Sequence, residues 1–165
     1  KSIKMKLLII KQQCKSIKVD VFGEDHFSLA ETHFAIARAQ QACGKLTHAE
    51  FSIRQAVALF AEWDGYELEL CRALQEQALL LVELGATERA KCSMQELVDV
   101  LPRLKLVDVT KKDLITWTRT CWRVLQCRSF VELPTEIHRL LRLSGVHVQI
   151  SALDENARGP LETAA

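Results

Sequence analysis

The sequence predicts an all-α protein, an α-α superhelix of stacked antiparallel helix pairs, with about two full repeats, a preceding half-repeat and a degenerate C-terminal repeat. Three observations lead there. Apolar residues recur at helical spacing along most of the 165 residues. Only six glycines and three prolines punctuate the chain, which leaves little linker in a compact, mostly helical protein. The sequence also matches itself when shifted by 41 residues: Ala37 falls on Ala78, Gly44 on Gly85, Ala49 on Ala90 and Val57 on Val98, while Ile53 meets Met94 and Leu59 meets Val100.

The elements follow in order, within one helical repeat domain over residues 1–150. Residues 1–22 carry Ile3, Leu7, Ile10, Cys14, Ile17 and Val21 on a single helical stripe. They fit the returning helix of a preceding unit, and the stripe is expected to pack on the repeat that follows. Lys1, Lys4, Lys6, Lys11, Lys15 and Lys18 then occupy mostly the other faces, a pattern that also admits a basic membrane-surface or partner helix.

Residues 26–62 form the first full repeat, with Phe34, Ile36 and Ala37 before Gly44 and Ala49, Ile53, Ala56 and Val57 after it. Glycine supplies the left-handed backbone that ends the first helix without a Cβ penalty. Residues 66–102 repeat the pattern with Leu74, Ala78 and Leu81, then Gly85, then Ala90, Met94, Leu97 and Val98. The alanines stand where two antiparallel helices cross closely, and a larger side chain there is expected to cost about 1–3 kcal/mol through overpacking. Pro102 cannot continue a helix and ends the second returning one.

Residues 110–145 form the degenerate or capping repeat. Thr110 stands three residues before Asp113, a capping-box-like start, and Leu114, Trp117, Cys121 and Val124 share one face. No glycine stands where Gly44 and Gly85 do, and Pro134 falls where a returning helix should already be running. The second helix of this unit is therefore expected from about Pro134 to Leu143, with a stop near Gly145. Residues 146–150 are compatible with a short extended segment, and residues 151–165 read as a polar tail.

Composition excludes several functions. With 22 basic and 21 acidic residues the net charge is +1, so there is no long-range pull toward nucleic acid or an anionic membrane. The apolar run from Leu7 to Ile10 is too short for a signal peptide or a membrane span, so the chain is expected to be soluble and cytoplasmic. Six scattered cysteines lack any Cys-x-x-Cys pair and read as reduced core thiols, and no metal site or cofactor is expected. The five histidines have no ligand or nucleophile partner at an interpretable spacing. No phosphate-binding glycine loop, His-Glu-x-x-His pair or nucleophile elbow occurs, and Glu67 and Glu69 read as solvated charge near a turn. A non-enzymatic protein is expected.

The small and apolar residues of the first helices, Gly44 or Gly85 at the turn, Ala49 or Ala90 in the second helices and Pro102 at the exit resemble the tetratricopeptide repeat. The long step and "VFGEDHFSLAETHF", an acidic turn with a histidine between units, resemble the subclass found in kinesin light chain-type scaffolds. The resemblance implies an interaction scaffold or adaptor, with flanking repeats in a longer parent chain and a cytoskeletal association both compatible with it. It also implies a large interior side chain at the place of His33, which therefore reads as a packing residue. The lysine and asparagine clamp with which some members hold a C-terminal carboxylate is absent, since Phe34, Arg38 and Glu76 stand in the matching places.

A stacked array presents a concave wall made by its successive first helices. The expected wall residues are Glu31, Phe34, Arg38 and Gln41 in the first unit, Arg72, Gln75, Glu76 and Leu79 in the second, and Ile115, Thr118, Arg119 and Trp122 in the third. Arginines grip carboxylates through paired bonds and the aromatic rings offer apolar footholds, so the expected guest is an extended peptide or partner helix mixing acidic and bulky apolar residues. Two other readings stand beside this one. A helical-repeat RNA binder would use Arg38, Arg72, Arg119 and Trp122, against the balanced charge. An enzyme would use Cys121 or Cys127.

Overall fold

The computed structural model describes residues 2–149 together with Ser151 and Leu153. Among them seven α-helices follow one another: α1 (Ile3–Phe22), α2 (Ser28–Ala42), α3 (Leu46–Glu62), α4 (Glu67–Glu83), α5 (Thr87–Val100), α6 (Lys111–Val124) and α7 (Thr135–Ser144). Helices adjacent in sequence are adjacent in space: α2 pairs with α3 and α4 with α5, α1 lies on α2, α3 meets α4, and α6 rests on both α4 and α5. The all-helical, pairwise-stacked architecture is the one the 41-residue step predicts.

The first helices end in three equivalent turns. Gly44 and Gly85 adopt φ of 73° and 78°, and the next residue's N–H reaches back to the carbonyl five positions earlier, Lys45 to Gln40 at 2.9 Å and Ala86 to Leu81 at 2.8 Å. The third unit keeps this turn without the glycine. Gln126, 41 residues after Gly85, adopts φ of 55°, and the Cys127 N–H donates to the Trp122 carbonyl at 3.0 Å.

Close crossing follows from the small side chains. Ala37, Ala49, Ala78 and Ala90 are at most 2% exposed and join Ile53, Leu74, Leu81, Met94 and Leu97 in one continuous core. The core extends into the third unit through Leu114, Trp117, Cys121, Ile137 and Leu140. A full capping box starts α6: the Asp113 N–H donates to Thr110 Oγ1 at 3.1 Å and the Thr110 N–H donates to Asp113 Oδ2 at 3.2 Å. Pro102 lies in a single 3₁₀ turn, Leu101–Arg103, that closes α5. Pro134 immediately precedes α7, which Gly145 ends at φ of 68°.

Three expectations are corrected. The stripe of α1 does not pack on the following repeat: Ile3, Leu7, Ile10, Cys14, Ile17 and Val21 are all exposed. The helix instead lies on α2 through Leu8, which contacts Ile36 and Ala39, through Val19, and through the half-buried stems of Lys11, Lys15 and Lys18. Lys18 Nζ bonds the Ser28 carbonyl at 3.0 Å and Thr32 Oγ1 at 2.8 Å. The contact with α2 turns a different side of α1 inward, because a returning helix has two faces to cover and the stripe belongs to the other.

Residues 146–149 lie outside any helix or turn, and of the expected tail Leu153 is helical and only 4% exposed in the core. Apart from Ser151, the remainder of 150–165 lies outside the described residues. The cysteines divide, with Cys71, Cys121 and Cys127 buried but Cys14 and Cys92 exposed, because helical spacing alone does not say which side of a helix is covered.

Candidate functional site

The first helices α4 and α6 pack on each other, α2 joins them through α3, which packs on both α2 and α4, and bonds between successive units hold the stack together. Arg72 on α4 makes a bidentate pair with Asp113 on α6, Nε to Oδ1 at 3.0 Å and Nη2 to Oδ2 at 2.9 Å. Burial alone would raise the Asp113 carboxyl, but the bonds from Arg72 and Thr110 outweigh it and hold the group below the usual carboxylate range. Gln75 Nε2 donates to Thr120 Oγ1 at 3.2 Å. On the returning helices, Glu50 of α3 accepts from Arg89 of α5 at 2.8 Å and from its own neighbour Arg54 at 3.2 Å.

The expected wall residues separate into two groups. Glu31 and Arg38 are exposed, and Phe34, Gln41, Arg72, Glu76, Leu79, Ile115 and Arg119 are half-buried. The Arg38 guanidinium lies 5.9 Å from the Phe34 ring centre. Burial pushes the Glu76 carboxyl up, Arg38 pulls it down and Glu83 pushes it up, for a net rise. The other group faces inward and corrects the predicted register. Gln75 and Trp122 are 6% exposed and Thr118 is 0% exposed, its hydroxyl bonded to the Leu114 carbonyl at 2.7 Å.

In α6 the outward stripe runs through Ile115, Thr116, Arg119 and Arg123 instead. Counting three and four residues from Arg119 would have found Thr116 and Arg123. Asp113 was also missed as a partner, although it stands 41 residues after Arg72, at the same place in the next unit and with opposite charge.

Arg119 differs from its neighbours. Its Nε is buried without a hydrogen-bond partner, the one such side-chain atom among the described residues. Arg38 has Phe34 and Glu76 close by and Arg72 has Asp113, so carboxylates interleave the wall's cations. That interleaving gives no row of free cations to follow a phosphate backbone, and the RNA reading is unsupported.

The thiol chemistry proposed for an enzyme is disfavoured as well. Burial pushes Cys121 up to about 12 and also raises Cys127, the reverse of an activated thiolate. No group of histidine, cysteine and carboxylate residues able to hold a metal occurs among the described residues. His33 is 5% exposed beside a cleft of about 320 Å³ between α1, α2 and α3, and burial, helped by the charge of Lys15, lowers it to about 4. It packs there as a neutral ring, and the burial is what the resemblance implies. No helix among the described residues is long and apolar enough to cross a membrane.

No family model matches the chain, and no curated protein does. Among solved structures, the chain is similar to a kinesin light chain-like protein of Podosopora anserina with nearly identical TPR-like repeats. The likeness has a TM-score of 0.63 at 16% identity and covers 87% of this chain and 70% of that one. The fold is therefore TPR-like.

Proposed function

We propose that the chain is a non-enzymatic docking module that holds an extended peptide or partner helix on the wall formed by α2, α4 and α6. The guest carries a carboxylate beside bulky apolar residues. One observation carries this reading: Arg119 makes no ion pair among the described residues and keeps a buried donor without an acceptor. An orphan donor of this kind costs about 1–3 kcal/mol, and a turn of the half-buried Arg119 side chain toward an incoming carboxylate would remove that cost with a charge-assisted bond. Phe34, Leu79 and Ile115 supply half-buried apolar contacts on the same three helices. The stacked-helix fold supports the reading, since such arrays present long surfaces rather than enclosed pockets.

The test is selection from a random peptide display library on the immobilised chain, followed by capture of the winners by an Arg38→Glu, Arg119→Glu variant. Enriched peptides should pair Asp or Glu with bulky apolar residues. The variant should lose affinity about tenfold or more at unchanged thermal stability. Capture by the variant at full strength would remove the wall as the site.

A further inference from the structure

The cleft between α1, α2 and α3 holds a departure of the first full unit from the second. It has a volume of about 320 Å³ and is lined by the apolar Val19, Leu29 and Leu59 and by His33. The residues 41 places on, Phe60, Leu70, Leu74 and Val100, are all buried in the core. Val19 thus stands in the place of Phe60 and His33 in that of Leu74. A valine for a phenylalanine leaves volume unfilled, and a histidine for a leucine puts a polar ring beside it. From α1 come only Lys15 and Val19, on the side laid against α2, so the cleft is independent of the exposed stripe of that helix.

His33 is 5% exposed, and its ring makes no hydrogen bond among the described residues. The one fully buried side-chain atom without a partner among those residues is Arg119 Nε, so the His33 nitrogens reach the cleft instead. A buried ring that keeps its polar edge for a cleft is an unfilled hydrogen-bonding position. Burial and the charge of Lys15 keep the ring neutral near pH 7, with one nitrogen a donor and the other an acceptor.

Charge decides what kind of ligand. Glu24, Asp25 and Glu62 line the cleft against a single cation, Lys15. None of these four side chains has a hydrogen bond or an ion pair among the described residues. The excess of carboxylates calls for a cation. A metal ion needs donors that converge on one point, and no such group of histidine, cysteine and carboxylate residues occurs among the described residues. Carboxylates spread around an apolar floor match a chain whose positive charges are separated by methylene groups. Its ammonium groups would meet Glu24, Asp25 and Glu62, and its methylenes would lie over Val19, Leu29 and Leu59. One ammonium N–H would donate to the unprotonated nitrogen of His33.

We propose that this cleft binds a free linear aliphatic polyamine, held by Glu24, Asp25 and Glu62 at its charges and by His33 at the floor. The site uses none of the wall residues of the first helices and does not rest on the function proposed for them.

The probe is spermidine, titrated into the full chain at fixed ionic strength while the histidine side chains are followed by NMR. The His33 resonances should shift and saturate, and those of His138 on α7 should stay in place. Two variants separate the cleft from its charges. Val19→Phe gives the cleft the residue of the second unit, and Glu24→Gln, Glu62→Gln neutralises two exposed carboxylates. Each should weaken spermidine binding about tenfold or more by calorimetry. The carboxamide pair, altered only at exposed positions, should keep its thermal stability and decides the matter if Val19→Phe unfolds the chain. Any of four results overturns the proposal: no saturable shift at His33, full affinity in the carboxamide variant or in a folded Val19→Phe, an equal response to magnesium or to inorganic phosphate, or equal binding of tri-lysine, which would assign the cleft to a peptide's side chain.

Discussion

Replacing Gln126 by glycine should stabilise the protein, and the reason lies in the three equivalent turns. Gln126 holds φ of 55° at the place where Gly44 and Gly85 hold 73° and 78°. A left-handed conformation costs a residue with a Cβ roughly 1–2 kcal/mol, whereas glycine adopts it freely but gives up roughly 0.5–1 kcal/mol of unfolded-state entropy. The net gain from Gln126→Gly is then about 0.5–1 kcal/mol. The reverse change can be worked from the same geometry. A Cβ built on Gly44 or Gly85 meets nothing within 4 Å, so Gly85→Ala carries only the conformational term and should cost about 1 kcal/mol.

For a chain of this size about 1 kcal/mol moves the midpoint of thermal unfolding by roughly 2–4 °C. Gln126→Gly should therefore raise it by about 1–3 °C, and Gly85→Ala should lower it by about 2–4 °C. Urea denaturation with unchanged m-values would show that the native turn, and not the unfolded ensemble's compactness, carries the effect. A neutral or destabilising Gln126→Gly alongside a neutral Gly85→Ala would refute the shared turn as an energetic unit.

Two further perturbations follow from the ion pair and the buried histidine. Asp113→Ala removes the Arg72 pair and the acceptor for the Thr110 N–H while leaving Thr110 Oγ1 as a cap; with the Arg72 side chain 40% exposed, the loss should be about 1–2 kcal/mol. Hydrogen exchange should speed first in α6, and a double-mutant cycle with Arg72→Ala should show coupling of about 0.5–1 kcal/mol. The depressed Asp113 carboxyl stabilises the fold above its ordinary value of 3.8 and loses that contribution as pH falls through its lower folded value.

His33 acts in a higher window: the unfolded chain takes up the proton near 6.5 but the folded one only near 4, so stability is lost as pH falls from 6.5 to 4. His33→Leu, which copies Leu74 of the next unit, should abolish on the order of 2–3 kcal/mol of that dependence. Denaturation midpoints at about pH 7 and about pH 5 that shift equally in both proteins would contradict this.

Much of the fold was legible because its causes are local and recur. The step of 41 residues, the glycines that reverse the chain and the alanines that bring helices close each act within one helix pair, and Ala49 and Ala90 are both 0% exposed. The third unit was readable from Thr110 and Asp113, whose capping box needs only three residues of spacing. His33 was readable through the resemblance, which implies a large interior side chain at its place. Cys14 and Cys92 were not, since a thiol fits inside or outside a helix equally well.

By itself, then, the sequence determined which residues share a helix, where each helix stops and the period at which they stack, because these depend on short-range backbone chemistry. The tertiary structure alone decided how far each helix rotates about its axis, which is fixed by the neighbours on both sides. That rotation turned Thr118 and Trp122 inward, bound Arg72 to Asp113, and left the apolar side of α1 open while its lysine stems lie against α2.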